Sequence, residues 1–409
     1  MTLRLSQRVQ RVSLSPNAAA KARANDLRGE GRDVLDLTTG EPDFDTPAHI
    51  KAAAWAAIQA GDTKYTATPG VRALRAAVVA KLERENQLRY TLPEVVIANG
   101  AKQVIFNAFA ATLDEGDEVI VPVPCWPTFP DAVRFNGGVP RLLECSLEQG
   151  CKLLPQQLEA AIGPRTRWLI LNSPGNPSGA LYSDAELSAL AEVLRRYPHV
   201  WVLLDELYEH IRFDGAPPRS VLNLAPDLQA RALLVGGVSK TYAMTGWRIG
   251  FGAGPHALAQ AMTVVQSQAA SGASSVSQAA ALAAFEGGLG FLPAQVAAYR
   301  ERRDLLVEAL SEVPGLEVLV PQGGFFVFVR CAGLLGRYRP DGLRIDTDAD
   351  LAAWLLEQGV AAIAGSAYGL SPWLRFSIAT ATGTVAQAGP RIAAACALLR
   401  DGDADEGRP

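Results

Sequence analysis

Five short apolar runs do most to limit what this chain can fold into: V-V-I-A at 95–98, E-V-I-V-P at 118–122, W-L-I-L-N at 168–172, V-W-V-L-L-D-E at 200–206 and A-L-L-V-G-G at 232–237. Successive side chains of a strand point to opposite sides of its sheet, so a strand apolar at every position must be covered on both faces. Stretches of helical periodicity separate several of the runs, and that alternation predicts parallel strands between two helical layers, an α/β domain. After about residue 300 the texture changes. A charged helix around E-R-R-D-L-L-V-E-A-L, the run G-G-F-F-V-F-V and a helix through L-A-A-W-L-L-E-Q-G predict a second, smaller α+β domain. The helix at 301–310 is expected to continue a long connecting helix.

The 409 residues, 49% of them hydrophobic, exceed what one core of ~250–300 residues accommodates. A net charge of -4 and a pI near 5.7 leave no general cationic surface for nucleic acid or anionic membrane, which favours a small-molecule partner. The 5 cysteines are odd in number and show neither a C-x-x-C pair nor zinc spacing, as suits reduced thiols in a cytosol with no metal. Arg4, Arg8, Arg11, Lys21 and Arg23 precede the first acid and imitate a transit peptide. However, no apolar h-region follows and no span of ~20 apolar residues exists, so the expectation is a soluble cytoplasmic protein without membrane partners. The tail D-G-D-A-D-E-G-R-P (401–409) is acidic and apolar-poor, a composition that predicts disorder.

In open α/β sheets ligands collect at the carboxyl ends of the strands, so the residues after each run come first. N-G-A-K-Q (99–103) opens a helix with small residues whose free N–H groups suit a phosphate; its plain reading is an Asn-Gly turn. In S-P-G-N-P-S-G (173–179), Asn176 precedes a proline and reads as part of a fixed turn, a cis bond being one form of it. Asp205, Glu206 and Tyr208 follow a buried strand, where an acid either meets a buried cation or simply faces water. Lys240 follows the last run, with Arg248 eight residues on. A desolvated lysine beside another cation loses proton affinity and becomes an amine nucleophile, and an arginine forks onto phosphate. The pair therefore suits one anionic, carbonyl-bearing ligand, against the default of a solvated lysine. Arg375, in the alternating strand W-L-R-F-S-I-A-T, either grips a carboxylate or faces solvent. G-F-G-A-G (250–254) lacks the G-x-G-x-x-G spacing of a dinucleotide turn.

Taken together, these stretches resemble the class I and II aminotransferases, fold type I enzymes that use pyridoxal 5′-phosphate (PLP), and in particular their bacterial aspartate aminotransferase-like branch. The resemblance is collinear from S-Q-R-V-Q (6–10) onward. It rests on G-E-P-D-F-D-T-P (40–47), T-K-Y (63–65), N-S-P-G-N-P-S-G (172–179), D-E-L-Y-E-H (205–210) and S-K-T-Y-A-M-T-G-W-R-I-G (239–250). It implies a large PLP-binding domain over 48–299 with a mostly parallel seven-stranded sheet between helices. It also implies a small domain from 16–47 and 300–400, an N-terminal arm over 1–15, and a homodimer with shared sites.

By the same resemblance Lys240 takes PLP covalently and carries the proton between the substrate α-carbon and the cofactor. Asp205 pairs with the pyridine nitrogen, and Tyr208 and Asn176 contact the ring hydroxyl. Gly100, Ala101, Lys102 and Arg248 take the phosphate, Trp126 stacks on the ring, and Tyr65 reaches the phosphate of the neighbouring subunit. Gly40 and Arg375, with Trp126 and Asn176, bind the substrate, and Lys102, with Ser15 of the N-terminal stretch, reads a distal carboxylate, although Asn17 stands where a threonine is usual and a solvated lysine at a helix start is the alternative. The expected reaction moves an amino group between an L-amino acid and a 2-oxo acid, with glutamate/2-oxoglutarate or aspartate/oxaloacetate as one pair. A β-lyase cleaving C–S bonds and a non-catalytic PLP-binding regulator are the alternatives. The sequence departs from the family pattern at Gly237 (serine in many relatives), at Cys125 (tyrosine), and at Gly175 and Ser178. The first is expected to loosen the phosphate site, the second to alter the substrate pocket.

Overall fold

A computed structural model describes residues 3–14 and 16–401. Ser15 and the acidic tail beyond Asp401 lie outside the described residues. Seven strands form the main sheet: β1 Val95–Ala98, β2 Glu118–Val123, β3 Val139–Glu144, β4 Thr166–Asn172, β5 Trp201–Asp205, β6 Ala232–Gly237 and β7 Gly250–Ala253. Their order is β1-β7-β6-β5-β4-β2-β3, and every pairing is parallel except the two made by β7. The five apolar runs are β1, β2, β4, β5 and β6. Both faces are covered as their composition demands: Val202 and Leu204 of β5 join a core with Leu169 and Leu171, while Leu203 joins Val119 and Ile170 on the other side.

The other two strands carry no such run. β3 is an edge strand with Val139 and Leu142 47% and 42% exposed, so no selection for two-sided burial marks its sequence. β7 is half glycine because a helix crosses it at close range: a Cβ on Gly250 would sit 2.3 Å from the Ala101 nitrogen.

The C-terminal third forms a second core. Strands β8 Glu317–Leu319, β9 Phe326–Arg330, β10 Ile363–Ala364 and β11 Trp373–Ser377 make an antiparallel sheet in the order β10-β11-β9-β8. The helices Leu292–Ser311, Asp348–Glu357 and Thr382–Ala397 pack on it through Leu306, Leu310, Leu351, Trp354, Val385 and Ile392. Leu35 and Leu37, from near the start of the chain, join this core, and Leu35–Asp36 pairs in parallel with Val360–Ala361. The connecting helix is 20 residues long, Leu292–Ser311, as expected from the pattern around 301–310.

Candidate functional site

The strand register gathers the carboxyl ends of the main sheet. Asn172 ends β4 opposite Asp205, which ends β5 opposite Val235, and Gly250 of the reversed strand β7 lies between Ala98 of β1 and Gly237 of β6. Above these ends lies a cavity of about 350 Å³, closed on one side by Arg375 of β11 and by the loop at Gly40.

One wall is built for an anion. Gly100 adopts φ +84 and caps the 12-residue helix Ala101–Thr112, whose first N–H groups have no carbonyl of their own turn to bond. Arg248 packs so close that a Cβ on Gly100 would fall 2.3 Å from its Nη2, and the φ of +84 is one that a side chain strains to adopt. Arg248 Nη1 and Nη2 donate to the carbonyls of Thr245 (2.9 Å) and Asn99 (3.4 Å), bonds that leave its charge uncompensated. Lys102 puts its Nζ 4.9 Å above the Trp126 ring, and burial, with Arg248 adding, holds its ammonium below the ordinary lysine pKa.

The floor carries Lys240 and Asp205. Lys240 Nζ donates to the Gly40 carbonyl at 2.5 Å and lies 5.9 Å from the Tyr208 ring centre. Burial pushes its amine down to about 8, with Glu41 opposing and Arg375 reinforcing. Asp205 is 6% exposed, accepts from the Leu207 N–H at 3.2 Å, and is pushed up to about 6 by burial. Tyr208 packs edge-on to Phe325 and Phe326, and burial drives its hydroxyl well above the usual range. The loop Asn172–Asn176 is tied by its own ends: Asn172 Oδ1 accepts from the Asn176 N–H (2.9 Å), and Asn172 Nδ2 donates to the Asp205 carbonyl (2.9 Å). The Ser173–Pro174 and Asn176–Pro177 bonds are both cis.

Arg375 is 1% exposed. It donates to the Thr38 carbonyl (2.7 Å) and to Asn176 Oδ1 (3.3 Å), while its Nε has no partner among the described residues. Its guanidinium lies 4.2 Å from the Phe326 ring centre, and burial lowers its pKa. A buried cation with an unused donor is set for an anion that brings two acceptor oxygens, as a carboxylate does.

Of the residues predicted from sequence, the cavity is lined by Gly40, Ala101, Lys102, Trp126, Asn176, Asp205, Tyr208, Lys240, Arg248 and Arg375, and Gly100 shapes its anion wall. Tyr65 does not join them. It is 100% exposed, at a separate open hollow with Thr63, Lys64 and Gly272. Cys125 lines a different, small hollow with Cys151, Gly175 and Ser178, which shares Asn172 with the main cavity. At Gly237 a Cβ would press on the Ile249 oxygen at 3.0 Å, while Ser239 lines the cavity. Five wall residues carried no role in the sequence reading: Glu41, Asn172, Leu207, Ser239 and Thr245. Thr245 Oγ1 donates to Glu41 at 2.9 Å, and the Glu41 carboxyl is held low by Lys21 and Thr245. The G-E-P motif marked Glu41, but nothing local says that its carboxylate faces a lysine 199 positions away.

A phosphate-bearing aldehyde with a basic ring nitrogen fits this donor set: free N–H groups and an arginine for the phosphate, a low-pKa amine for the aldehyde, and a buried carboxylate for the nitrogen. A family model for class I and II aminotransferases matches residues 32–390. The chain is 50% identical to an aspartate aminotransferase of Rhizobium meliloti over 395 residues, 96% of each chain. It is 48% identical to an aspartate/prephenate aminotransferase of Cereibacter sphaeroides over 396 residues, 97% of this chain and 99% of the other. The crystal structure of the aspartate aminotransferase from Rhizobium meliloti superposes with a TM-score of 0.94 at 49% identity, covering 97% of this chain and 100% of that one. The aspartate aminotransferase of Thermus thermophilus with maleate superposes with a TM-score of 0.90 at 38% identity, covering 96% and 100%.

Proposed function

The chain belongs to the class I and II aminotransferases, and from that premise we propose that it exchanges amino groups between aspartate or glutamate and the matching 2-oxo acids. It is a PLP-dependent aminotransferase of fold type I. Bound PLP supplies an aldehyde that combines with amines and a ring that draws electrons from the substrate α-carbon.

In this reading Lys240 is the amine that carries the cofactor. With the cofactor bound, Lys240 Nζ would be the group that takes the substrate α-proton and returns it. Its pKa of about 8 leaves a usable neutral fraction near neutral pH. Asp205 holds a proton on the ring nitrogen, and Tyr208 and Asn176 hold the ring oxygen. The N–H groups after Gly100, at Ala101 and Lys102, and the Arg248 fork hold the phosphate, while Trp126 covers the ring. Arg375, with Asn176 and the Gly40 loop, orients the substrate carboxylate. The observation that carries the reading is Arg375, a guanidinium only 1% exposed whose Nε has no partner among the described residues, over the same cavity as Lys240 and Asp205.

Lys102 is the proposed reader of the distal carboxylate. Its ammonium lines the cavity and bonds no carboxylate among the described residues, and the Thermus thermophilus relative is described with maleate, a dicarboxylate. The test is half-transamination of the PLP-loaded protein across a panel of L-amino acids, with pyruvate and ammonia release measured alongside. Aspartate and glutamate should convert fastest. Lys102→Ala should cost these two ~1.5–3 kcal/mol in kcat/KM and spare alanine and phenylalanine, as expected for a hydrogen bond to a charged group. Equal losses for all four remove Lys102 from this role, and release of pyruvate and ammonia in place of transfer would favour a lyase.

The reading also takes the working form as a homodimer in which Tyr65 reaches the partner's phosphate. Supporting it, Tyr65 is 100% exposed and Trp55 and Ile58, in the same stretch of chain, are 60% and 46% exposed. A cytoplasmic setting agrees with five free cysteines. Among the described residues no helix is long and apolar enough to cross a membrane.

A further inference from the structure

Directly behind the cavity lies a second buried set of charges that the reaction as described does not use. Lys81, on helix Arg72–Asn86, is 2% exposed; its Nζ donates to Asn86 Oδ1 at 2.7 Å and to Glu209, and lies 3.7 Å from Glu85. Asn86 Nδ2 donates to the other oxygen of Glu209 at 2.6 Å. His210 Nε2 stands 3.1 Å from Glu85 Oε2, and its Nδ1 stands 3.2 Å from Thr241 Oγ1. Around them stand Arg84, which bonds Glu85, and the buried Glu206 and Tyr242.

The chain alternates between this set and the cavity. In the segment after β5, Asp205 and Tyr208 line the cavity while Glu209 and His210 belong to the rear set; after β6, Lys240 lines the cavity while Thr241 turns to His210. The His210–Thr241 bond is thus a cross-link between the two segments that hold the reacting amine and the ring-facing carboxylate. The Nε2–Glu85 contact is an ion-pair distance without hydrogen-bond geometry, so the ring's hydrogen bond is the one to Thr241, whose hydroxyl can donate to Nδ1 or accept from it. Lys81, Asn86 and Glu85 in turn fix Glu209 and the ring to a helix of the main core.

We infer that His210, held by Glu85 and the Lys81–Glu209 pair, is a positioning residue that sets Lys240 relative to Asp205 and Tyr208 through the hydroxyl of Thr241. The inference rests on the reading that Lys240 carries PLP. A merely structural network would raise stability without touching the register of the amine. A positioning network controls the turnover step, because small misplacements of a reacting group are felt steeply in rate.

The test uses PLP-loaded parent, Thr241→Val, Thr241→Ser and His210→Phe proteins. Borohydride trapping followed by peptide mass analysis first locates the cofactor; label absent from Lys240 in the parent refutes the underlying reading and not this one alone. With label on Lys240, Thr241→Val should lower kcat for glutamate by about tenfold or more while KM stays within about twofold, because orientation and not ground-state binding is lost. The pH midpoint of the visible absorbance should move by about 0.3 unit or more as the surroundings of the amine change. PLP uptake by the apoprotein should slow in parallel, and Thr241→Ser, which keeps the hydroxyl, should restore all three. His210→Phe should reproduce the Thr241→Val pattern where it folds, and Thr241→Val decides alone where it does not. Unchanged kcat and unchanged midpoint in Thr241→Val overturn the inference. So does a loss that Thr241→Ser fails to rescue and that follows melting temperature.

Discussion

The front and back of one short segment, Asp205 to His210, bury charge in opposite ways. On the front, among the described residues, Asp205 meets a single N–H donor at 3.2 Å, Arg248 spends its bonds on carbonyls, and the Arg375 Nε has no partner. On the back, Lys81 and Glu209 are paired directly and Asn86 bonds both, while Glu85 Oε2 and His210 Nε2 have no hydrogen-bond partner among the described residues. The pKa directions differ accordingly. Burial raises the Asp205 carboxyl to about 6 with little to oppose it, whereas at Glu209 burial is outweighed by Lys81, His210 and Asn86, and the carboxyl lies below the usual range. At these two carboxylates, charges buried alike thus separate by partnership, whereas Glu206, buried beside the back set, is pushed up to about 8 by burial and by Glu209.

Removing the front amine should do the most damage to function. Lys240→Ala should bind PLP yet lose turnover by about 10⁴-fold, the upper range for losing a positioned proton carrier. Single-turnover kinetics with glutamate measure it, and near-parent rates would break the front side of the contrast. Lys81→Met should be the largest blow to stability, about 3–5 kcal/mol, because two buried carboxylates lose their cation. Denaturant unfolding of the apoprotein reads that loss. Adding Glu209→Gln should recover part of it, which sharpens the claim that the back set is worth something only as a pair.

Asp205→Asn should have smaller and opposed effects. Turnover should fall by on the order of 3 kcal/mol in activation free energy, since the ring nitrogen loses its anion. The apoprotein, however, should gain stability at pH 7.5. The folded pKa of about 6 lies above the ordinary 3.8, so the cost of the ionised carboxylate is fully present above about pH 6 and fades as pH falls from there to 3.8. The shift of about two units corresponds to a gain on the order of 3 kcal/mol. Melting curves of apo parent and variant at pH 7.5 and pH 4 check the sign. A variant less stable at pH 7.5 would mean that Asp205 is satisfied in the folded chain and belongs with the back set.

The same contrast governs what could be read from the sequence. Lys240, Arg248, Asp205 and Arg375 were legible because each follows or interrupts an apolar strand, where a charge is conspicuous, and because the motifs around them are specific. Glu209 was quoted in D-E-L-Y-E-H without a role, and Lys81 and Glu85 passed unnoticed, since charged residues on an amphipathic helix ordinarily face water. Their burial depends on a pairing across 128 positions, from Lys81 to Glu209, that no local pattern encodes. The strands divided in the same way: two-sided burial marked β1, β2, β4, β5 and β6, whereas the exposed edge β3 and the glycine-rich β7 lacked that signature. Cys125 and Trp126, successive in sequence, face different hollows, a division that no sequence pattern announces.

The reversal of β7 has a further consequence. A strand running with its neighbours would bring its last residues to the ligand rim, a full crossover away from the end of β6. Running against them, β7 delivers its beginning there, so one loop of the chain from Lys240 to Arg248 carries both cations, and Arg248 enters at φ +56 just before the strand starts. A loop this short closes at little entropic cost and leaves its two ends little freedom to drift apart. The amine and the guanidinium thus behave as the two jaws of one rigid caliper, whose opening is fixed by nine consecutive residues before any ligand arrives.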